Sequence, residues 1–147
     1  MPGNILIIDD EEQLRKLLGR IISLEGFSVR DASTLKQAKD ILERQPIDII
    51  LCDVRLTDGN GVEFVKSIKA AHPKIEIILI TAYGNIPDGV QAIKNGAFDY
   101  LVKGNDNDKI IPLLNQAMEY AGRKRKEAMR LLSVSLTSPM SGTSITS

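Results

Sequence analysis

The sequence predicts an α/β fold, a doubly wound five-stranded parallel sheet with helices on both faces. Three observations predict it. Short apolar runs alternate with helix-length amphipathic stretches five times along the chain. Three of those runs are nearly unbroken β-branched or leucine sequence, the pattern of strands covered on both faces. Chemically active residues sit just after the runs, where an open α/β sheet collects its ligands.

The first strand is Ile5-Leu6-Ile7-Ile8, with a helix from near Glu11 to a stop at Gly26 carrying Leu14, Leu17, Leu18, Ile21 and Ile22 at helical spacing. The second is Ser28-Val29-Arg30, short and mixed as an edge strand would be. Its helix carries Leu35, Ala38, Ile41 and Leu42 behind a Ser33 or Thr34 cap. The third strand lies in Ile47–Cys52, followed by a helix on Val62, Val65, Ile68 and Lys69 that ends near His72-Pro73. The fourth is Glu76–Ile80, and its helix starts at Asn85, tolerates Pro87 in its first turn, carries Val90 and Ile93, and ends at Asn95-Gly96. The fifth, Asp99–Val102, is again edge-like. A last helix starts near Asn107 with Ile110, Ile111, Leu114, Ala117, Met118 and Ala121 on its apolar stripe.

These elements place one domain over residues 3–122. Residues 123–147 are expected to form a basic helical extension, from Arg123-Lys124-Arg125-Lys126, and then a Ser/Thr-rich linker or disordered tail. That last part holds six Ser and three Thr from Ser133 onward. The basic residues suit a solvated helix end, or a signalling linker to an effector. The stripe through Leu114, Ala121, Ala128 and Leu131/Leu132 could form a dimer seam, with Gly122 as an interruption.

Composition narrows the function. The 147 residues carry 19 basic and 19 acidic side chains, so no global charge draws the chain to nucleic acid or anionic lipid. The lone Cys52 excludes an internal disulfide framework and the four-cysteine zinc patterns, and fits a reducing, cytoplasmic setting. It should pack as a small hydrophobe. No apolar run reaches the roughly 18 residues of a membrane span. The N-terminus, Met-Pro-Gly-Asn, lacks the pattern of a secretory signal. Neither membrane insertion nor nucleic-acid contact by this chain is expected.

The residues just beyond each strand carry the chemistry. Asp9, Asp10, Glu11 and Glu12 come after the first, Asp53 after the third, Thr81 and Ala82 after the fourth, and Lys103 after the fifth. If strands one and three are neighbours, Asp9, Asp10 and Asp53 converge. Carboxylates that close repel one another and call for a cation, and oxygen ligands with room for water suit Mg²⁺. A hydroxyl and an ammonium aimed at the same point suit an anion with several oxygens. The set is a phosphoryl-transfer arrangement with an aspartate as possible nucleophile. Taken singly, each residue has a bland explanation: a helix cap, a strand-end hydroxyl, a surface lysine. Their coincidence at four strand ends argues for a site.

The segments Ile5–Glu11, Leu51–Leu56, Ile80–Gly84 and Gly96–Lys103 together resemble the receiver domain of bacterial two-component response regulators, over about residues 4–121. Thr81-Ala82-Tyr83-Gly84 and Gly96-Ala97-Phe98-Asp99-Tyr100 look most like the nitrogen-regulation, enhancer-binding subfamily. The resemblance implies a flavodoxin-like sheet of order 2-1-3-4-5. It implies Asp53 as phosphoacceptor from a partner histidine kinase. It implies Mg²⁺ on Asp10, Asp53 and the Arg55 backbone carbonyl, with Asp9 acting through water. Lys103 would pair with the phosphoryl group, and Thr81 would swing toward it together with the Ala82 amide. Tyr100 would move inward after it and change the face formed by the fourth helix, the fifth strand and the fifth helix, which controls an effector, a transcriptional output or a homodimer. The extended last helix is the other possible dimer surface.

Two departures stand out. Gly104 comes after Lys103 where the family usually has proline after a cis bond, so the loop must be looser or held by other contacts. Thr57 replaces a frequent proline, although Thr57-Asp58-Gly59-Asn60-Gly61 still reads as a type I turn. Gly104 leaves open a degenerate receiver that docks partners without phosphorylation. A phosphatase of the haloacid-dehalogenase type would want Asp-x-Asp after the first strand, and a flavodoxin-like binder a Ser/Thr-rich phosphate loop there. Adjacent acids occupy that position instead.

Overall fold

Side chains on successive strand residues point to opposite faces, so an apolar run with no polar alternation needs cover on both sides. The computed structural model, which describes residues 3–137, supplies that cover. The strands are β1 (Asn4–Ile8), β2 (Ser28–Ala32), β3 (Ile49–Asp53), β4 (Glu76–Thr81) and β5 (Asp99–Val102). They pair in parallel in the order β2-β1-β3-β4-β5, with the two mixed strands at the edges. The helices are α1 (Glu12–Leu24), α2 (Leu35–Arg44), α3 (Gly61–Ala71), α4 (Ile86–Lys94) and α5 (Ile110–Thr137). A two-residue antiparallel ribbon, Arg55–Leu56 against Gly59–Asn60, closes the turn at Thr57 and Asp58.

Alternation along the strands divides the core in two. Leu6, Ile8, Ile50, Cys52, Ile77 and Leu79 pack against α2, α3 and α4. Ile5, Ile7, Ile49, Leu51, Ile78 and Ile80 pack against α1 and α5. Helix starts obey local chemistry: the Thr34 hydroxyl accepts from the Gln37 amide, Asn60 caps α3, and the Asn85 side chain accepts from the Asp88 amide.

Two expectations about helix faces are corrected. Val90 and Ile93, expected to face the core, are about half exposed, and Ile86 is more exposed still; α4 buries Ala92 instead. Small residues let this helix lie close to Tyr100: a Cβ on Gly89 would come within 3.3 Å of the tyrosine ring. On α1, likewise, Leu18 and Ile22 are buried while Leu17 and Ile21 are largely exposed, because the apolar stripe is wider than the sheet can cover.

The basic extension is not simply solvated. Helix α5 runs unbroken through Gly122 to Thr137, so it also takes in the first residues of the stretch expected to be linker from Ser133. Residues 138–147 lie outside the described part of the chain. Lys124 reaches the buried Glu76 at 3.3 Å and Arg125 reaches Asp48 at 3.5 Å, both at the amino end of the sheet. The carboxyl end, opposite, carries the residues with chemistry.

Candidate functional site

Parallel pairing lines up the strand ends. In the register, Ile8 stands beside Cys52, Asp53 beside Ile80 and Thr81 beside Val102. Asp9, Asp53, Thr81 and Lys103 therefore emerge together from four adjacent strands. Asp9, Asp53 and Thr81 are buried and Asp10 is exposed.

Lys103 is the centre of the cluster. Its Nζ lies 3.0 Å from Asp9 Oδ2, 3.1 Å from Asp53 Oδ2 and 3.7 Å from Glu11 Oε1. Burial by itself would lower the affinity of this ammonium for its proton. Its close contacts with the Asp9 and Asp53 carboxylates outweigh that and push its pKa up. Lys103 is therefore a permanent cation here. Burial pushes the Asp53 carboxyl above its ordinary range, and the Asp9 charge adds to this. Lys103, and to a smaller extent the nearby Arg55 backbone amide, hold it down only in part. Beneath the cluster, burial pushes the Cys52 thiol far up, with the charges of Asp53 and Asp9 adding to it, so it stays protonated and inert.

Carboxylate oxygens of Asp9, Asp10 and Asp53 lie within 4.8 Å of one another. Asp9 Oδ1 accepts from the Glu11 amide at 2.9 Å, but Asp9 Oδ2 is buried with no hydrogen-bond donor and only the lysine ion pair. Asp9 and Asp53 share the Lys103 ammonium, and Asp10 adds a third carboxylate at the same place. A hard divalent cation with oxygen ligands and residual water, such as Mg²⁺, fits that donor set.

The loop after Lys103 answers the departure at Gly104. No peptide bond among the described residues is cis, and Gly104 takes a positive φ of 87°, open to glycine without strain. Its amide donates to Asn107 Oδ1 at 3.0 Å. The Asp106 carboxylate accepts from the Val102 amide at 2.9 Å, and the Asp106 amide donates to the Val102 carbonyl at 3.0 Å. This Asx-type closure holds the lysine on target, and its only sequence signal is the Asn105–Asp108 run.

The switch candidates lie close by. The Thr81 hydroxyl accepts from the Tyr83 amide at 3.2 Å, and Ala82 sits between them on the exposed β4–α4 loop. Tyr100 is half-buried on β5, and its hydroxyl accepts from the Asn85 amide at 3.4 Å. Sequence reasoning missed Glu11 as a partner of Lys103. It also missed Asp58, whose carboxylate accepts from the Leu35 and Lys36 amides and ties the loop after Asp53 to α2.

With this geometry in view, comparison with known proteins is specific. A family model described as the response regulator receiver domain matches residues 5–115. The chain is 37% identical over 123 residues to the response regulator protein PilR of Pseudomonas aeruginosa, covering 84% of this chain and 28% of PilR. It is similar to the beryllofluoride-activated NtrC4 receiver domain dimer, with a TM-score of 0.76 and 32% identity over 80% of this chain and 98% of that one. It is also similar to a Burkholderia pseudomallei response regulator solved with a phosphorylated aspartic acid, calcium ion and citrate. There the TM-score is 0.71 and the identity 28%, over 85% of this chain and 74% of that one. The chain spans under a third of the length of the curated relatives it matches first.

Proposed function

The chain belongs to the response regulator receiver domain family, and on that ground we propose that it is a phospho-accepting switch with Asp53 as the acceptor. One observation carries the reading: a single ammonium, Lys103, bridges two buried carboxylates, Asp9 and Asp53, at the carboxyl end of the sheet. The phosphorylated aspartic acid of the Burkholderia pseudomallei regulator supports it by analogy.

An Asp53 carboxylate oxygen attacks the phosphorus of a phosphohistidine on a partner kinase. The new O–P bond forms as the N–P bond breaks, and the released imidazole takes its proton from solvent. Lys103, already in contact with Asp53, stays close enough to pair with the transferred oxygens. Asp10, Asp53 and the Arg55 carbonyl would hold Mg²⁺ directly and Asp9 through water; when bound, the ion neutralises charge on the phosphoryl oxygens. Thr81 exchanges its bond to the Tyr83 amide for the phosphoryl group beside the Ala82 amide, and Tyr100 moves with it. Water attack on phosphorus later restores the carboxylate.

The output surface is α4, β5 and α5. Ile86, Val90 and Ile93 form an exposed apolar face there, of the kind that a partner covers. We assign it to an effector or to a second copy in a cytoplasmic, transcription-controlling protein; the extended α5 is a second candidate surface. No helix among the described residues is long and apolar enough to cross a membrane. The alternative of a degenerate docking module rested on Gly104. The loop's own hydrogen bonds, which keep Lys103 on Asp53, favour the phospho-accepting reading.

Intact mass after incubation with Mg²⁺ and acetyl phosphate tests this. One phosphoryl group is expected on the wild type and none on Asp53→Asn or with chelator present. An unmodified wild type, or an equally modified Asp53→Asn, overturns it.

A further inference from the structure

Arg55 and Tyr83 stand on the two loops that flank the acceptor. Arg55 comes two residues after Asp53, and the Tyr83 amide donates to the Thr81 hydroxyl at 3.2 Å. The same two residues meet through their side chains: the Arg55 guanidinium carbon lies 5.4 Å from the centroid of the Tyr83 ring, within cation–π range. Tyr83 is 70% exposed, so burial does not explain why its ring lies there. The contact spans from the β3–α3 loop to the β4–α4 loop.

From this bridge we infer that Arg55 and Tyr83 form a latch on the Thr81 loop, released when Asp53 carries a phosphoryl group. The inference rests on Asp53 as acceptor and adds two positioning residues to it. In the resting protein the guanidinium holds the Tyr83 ring, and the Tyr83 amide holds the Thr81 hydroxyl. A ring face offers a cation only a quadrupole. A phosphoryl dianion two residues away offers full charge and paired oxygens that match the guanidinium fork. Arg55 therefore leaves the ring for the phosphoryl group. The ring is freed, and the loop carrying Thr81 can give up its resting hydrogen bond.

The test is a double-mutant cycle on the affinity for Mg²⁺ and beryllofluoride, a phosphoryl stand-in. Tyr83→Leu removes the resting competitor and should bind about two- to fivefold tighter. Tyr83→Phe keeps a ring and should match the wild type. Arg55→Met should bind more weakly, and in that background Tyr83→Leu should change nothing. An equal effect of Tyr83→Leu in both backgrounds, or tighter binding by Arg55→Met, overturns the latch. A second readout needs no metal. Arg55 side-chain proton resonances should carry a ring-current displacement in the wild type and in Tyr83→Phe that is lost in Tyr83→Leu; its absence from the wild type also overturns the latch. A folded wild type that binds no beryllofluoride overturns the acceptor reading and the latch together, whereas additive effects on normal binding remove the latch alone.

Discussion

Gly61 leaves no room for a side chain at the base of the loop after Asp53. A Cβ there would lie 2.4 Å from the Asp53 carbonyl oxygen and 3.1 Å from Val54 Cα, and both are backbone atoms. The Gly61 amide also donates to the Val54 carbonyl at 2.7 Å. A larger residue cannot be accommodated by turning a rotamer; it must push on the strand end that carries the acceptor. Gly61→Ala is expected to lose roughly 1–3 kcal/mol in a urea titration, as overpacking commonly does. It should also slow phosphoryl acceptance in proportion to the displacement of Asp53, and unchanged stability would refute the close approach. Asp9, Asp53, Thr81 and Lys103 were legible as single residues because each sits at a strand end, and strand ends can be counted along a chain. Gly61 was visible only as one glycine in a turn. The atom it must avoid belongs to a backbone eight residues earlier, and no local pattern encodes that distance.

At the scale of elements, the loops position the site. The ribbon after β3 is tied to α2 because the Asp58 carboxylate accepts from the Leu35 amide at 2.9 Å and the Lys36 amide at 3.0 Å, at a helix N-terminus. Those backbone bonds, Leu35's first and then Lys36's, hold the Asp58 carboxyl below its ordinary value of 3.8. A carboxyl with a depressed folded-state pKa binds protons more readily when unfolded. Its stabilisation is therefore complete above 3.8 and is lost as pH falls through the lower folded value. Urea midpoints measured from neutral to acid pH should fall less steeply in that window for Asp58→Ala than for the wild type. Parallel curves would show that the tether contributes nothing. The β5–α5 loop obeys the same logic: a left-handed Gly104 with Asp106 and Asn107 side chains closes a loop where the family resemblance leads one to expect proline.

Across the whole molecule the sheet separates two tasks. Its carboxyl end carries Asp53, the proposed acceptor. Its amino end grips the extension of α5, where the buried Glu76 lies 3.6 Å from Lys69 and 3.3 Å from Lys124, and Asp48 lies 3.5 Å from Arg125. The extension therefore leaves the domain in a set direction. Glu76→Gln is expected to speed amide hydrogen exchange in residues 123–134 several-fold. It should leave acetyl phosphate labelling of Asp53 unchanged, since a strand of this length separates the ends by about 16 Å. Unaltered exchange would mean that the helix holds itself without the ion pairs at its base. Helix α4, with its apolar face outward, is the other feature that belongs to the assembled molecule and not to any segment of it.

Local chemistry along the chain was enough to name the strands, their edges, the helix caps and the acidic, hydroxyl and basic members of the site. Periodicity, capping and strand ends are properties of neighbours in sequence. Three things required the packed structure. One was which apolar stripes face inward, since Val90 and Ile93 have the same period as a core face and only the close approach of α4 to Tyr100 turns them outward. Another was where Lys103 points, since Gly104 is permissive and the answer lies in side chains that close the loop. The last was the partners of Lys124 and Arg125, whose acids lie dozens of residues earlier. Each depends on distances between atoms far apart in the chain, and those distances exist only once the sheet and its helices have come together.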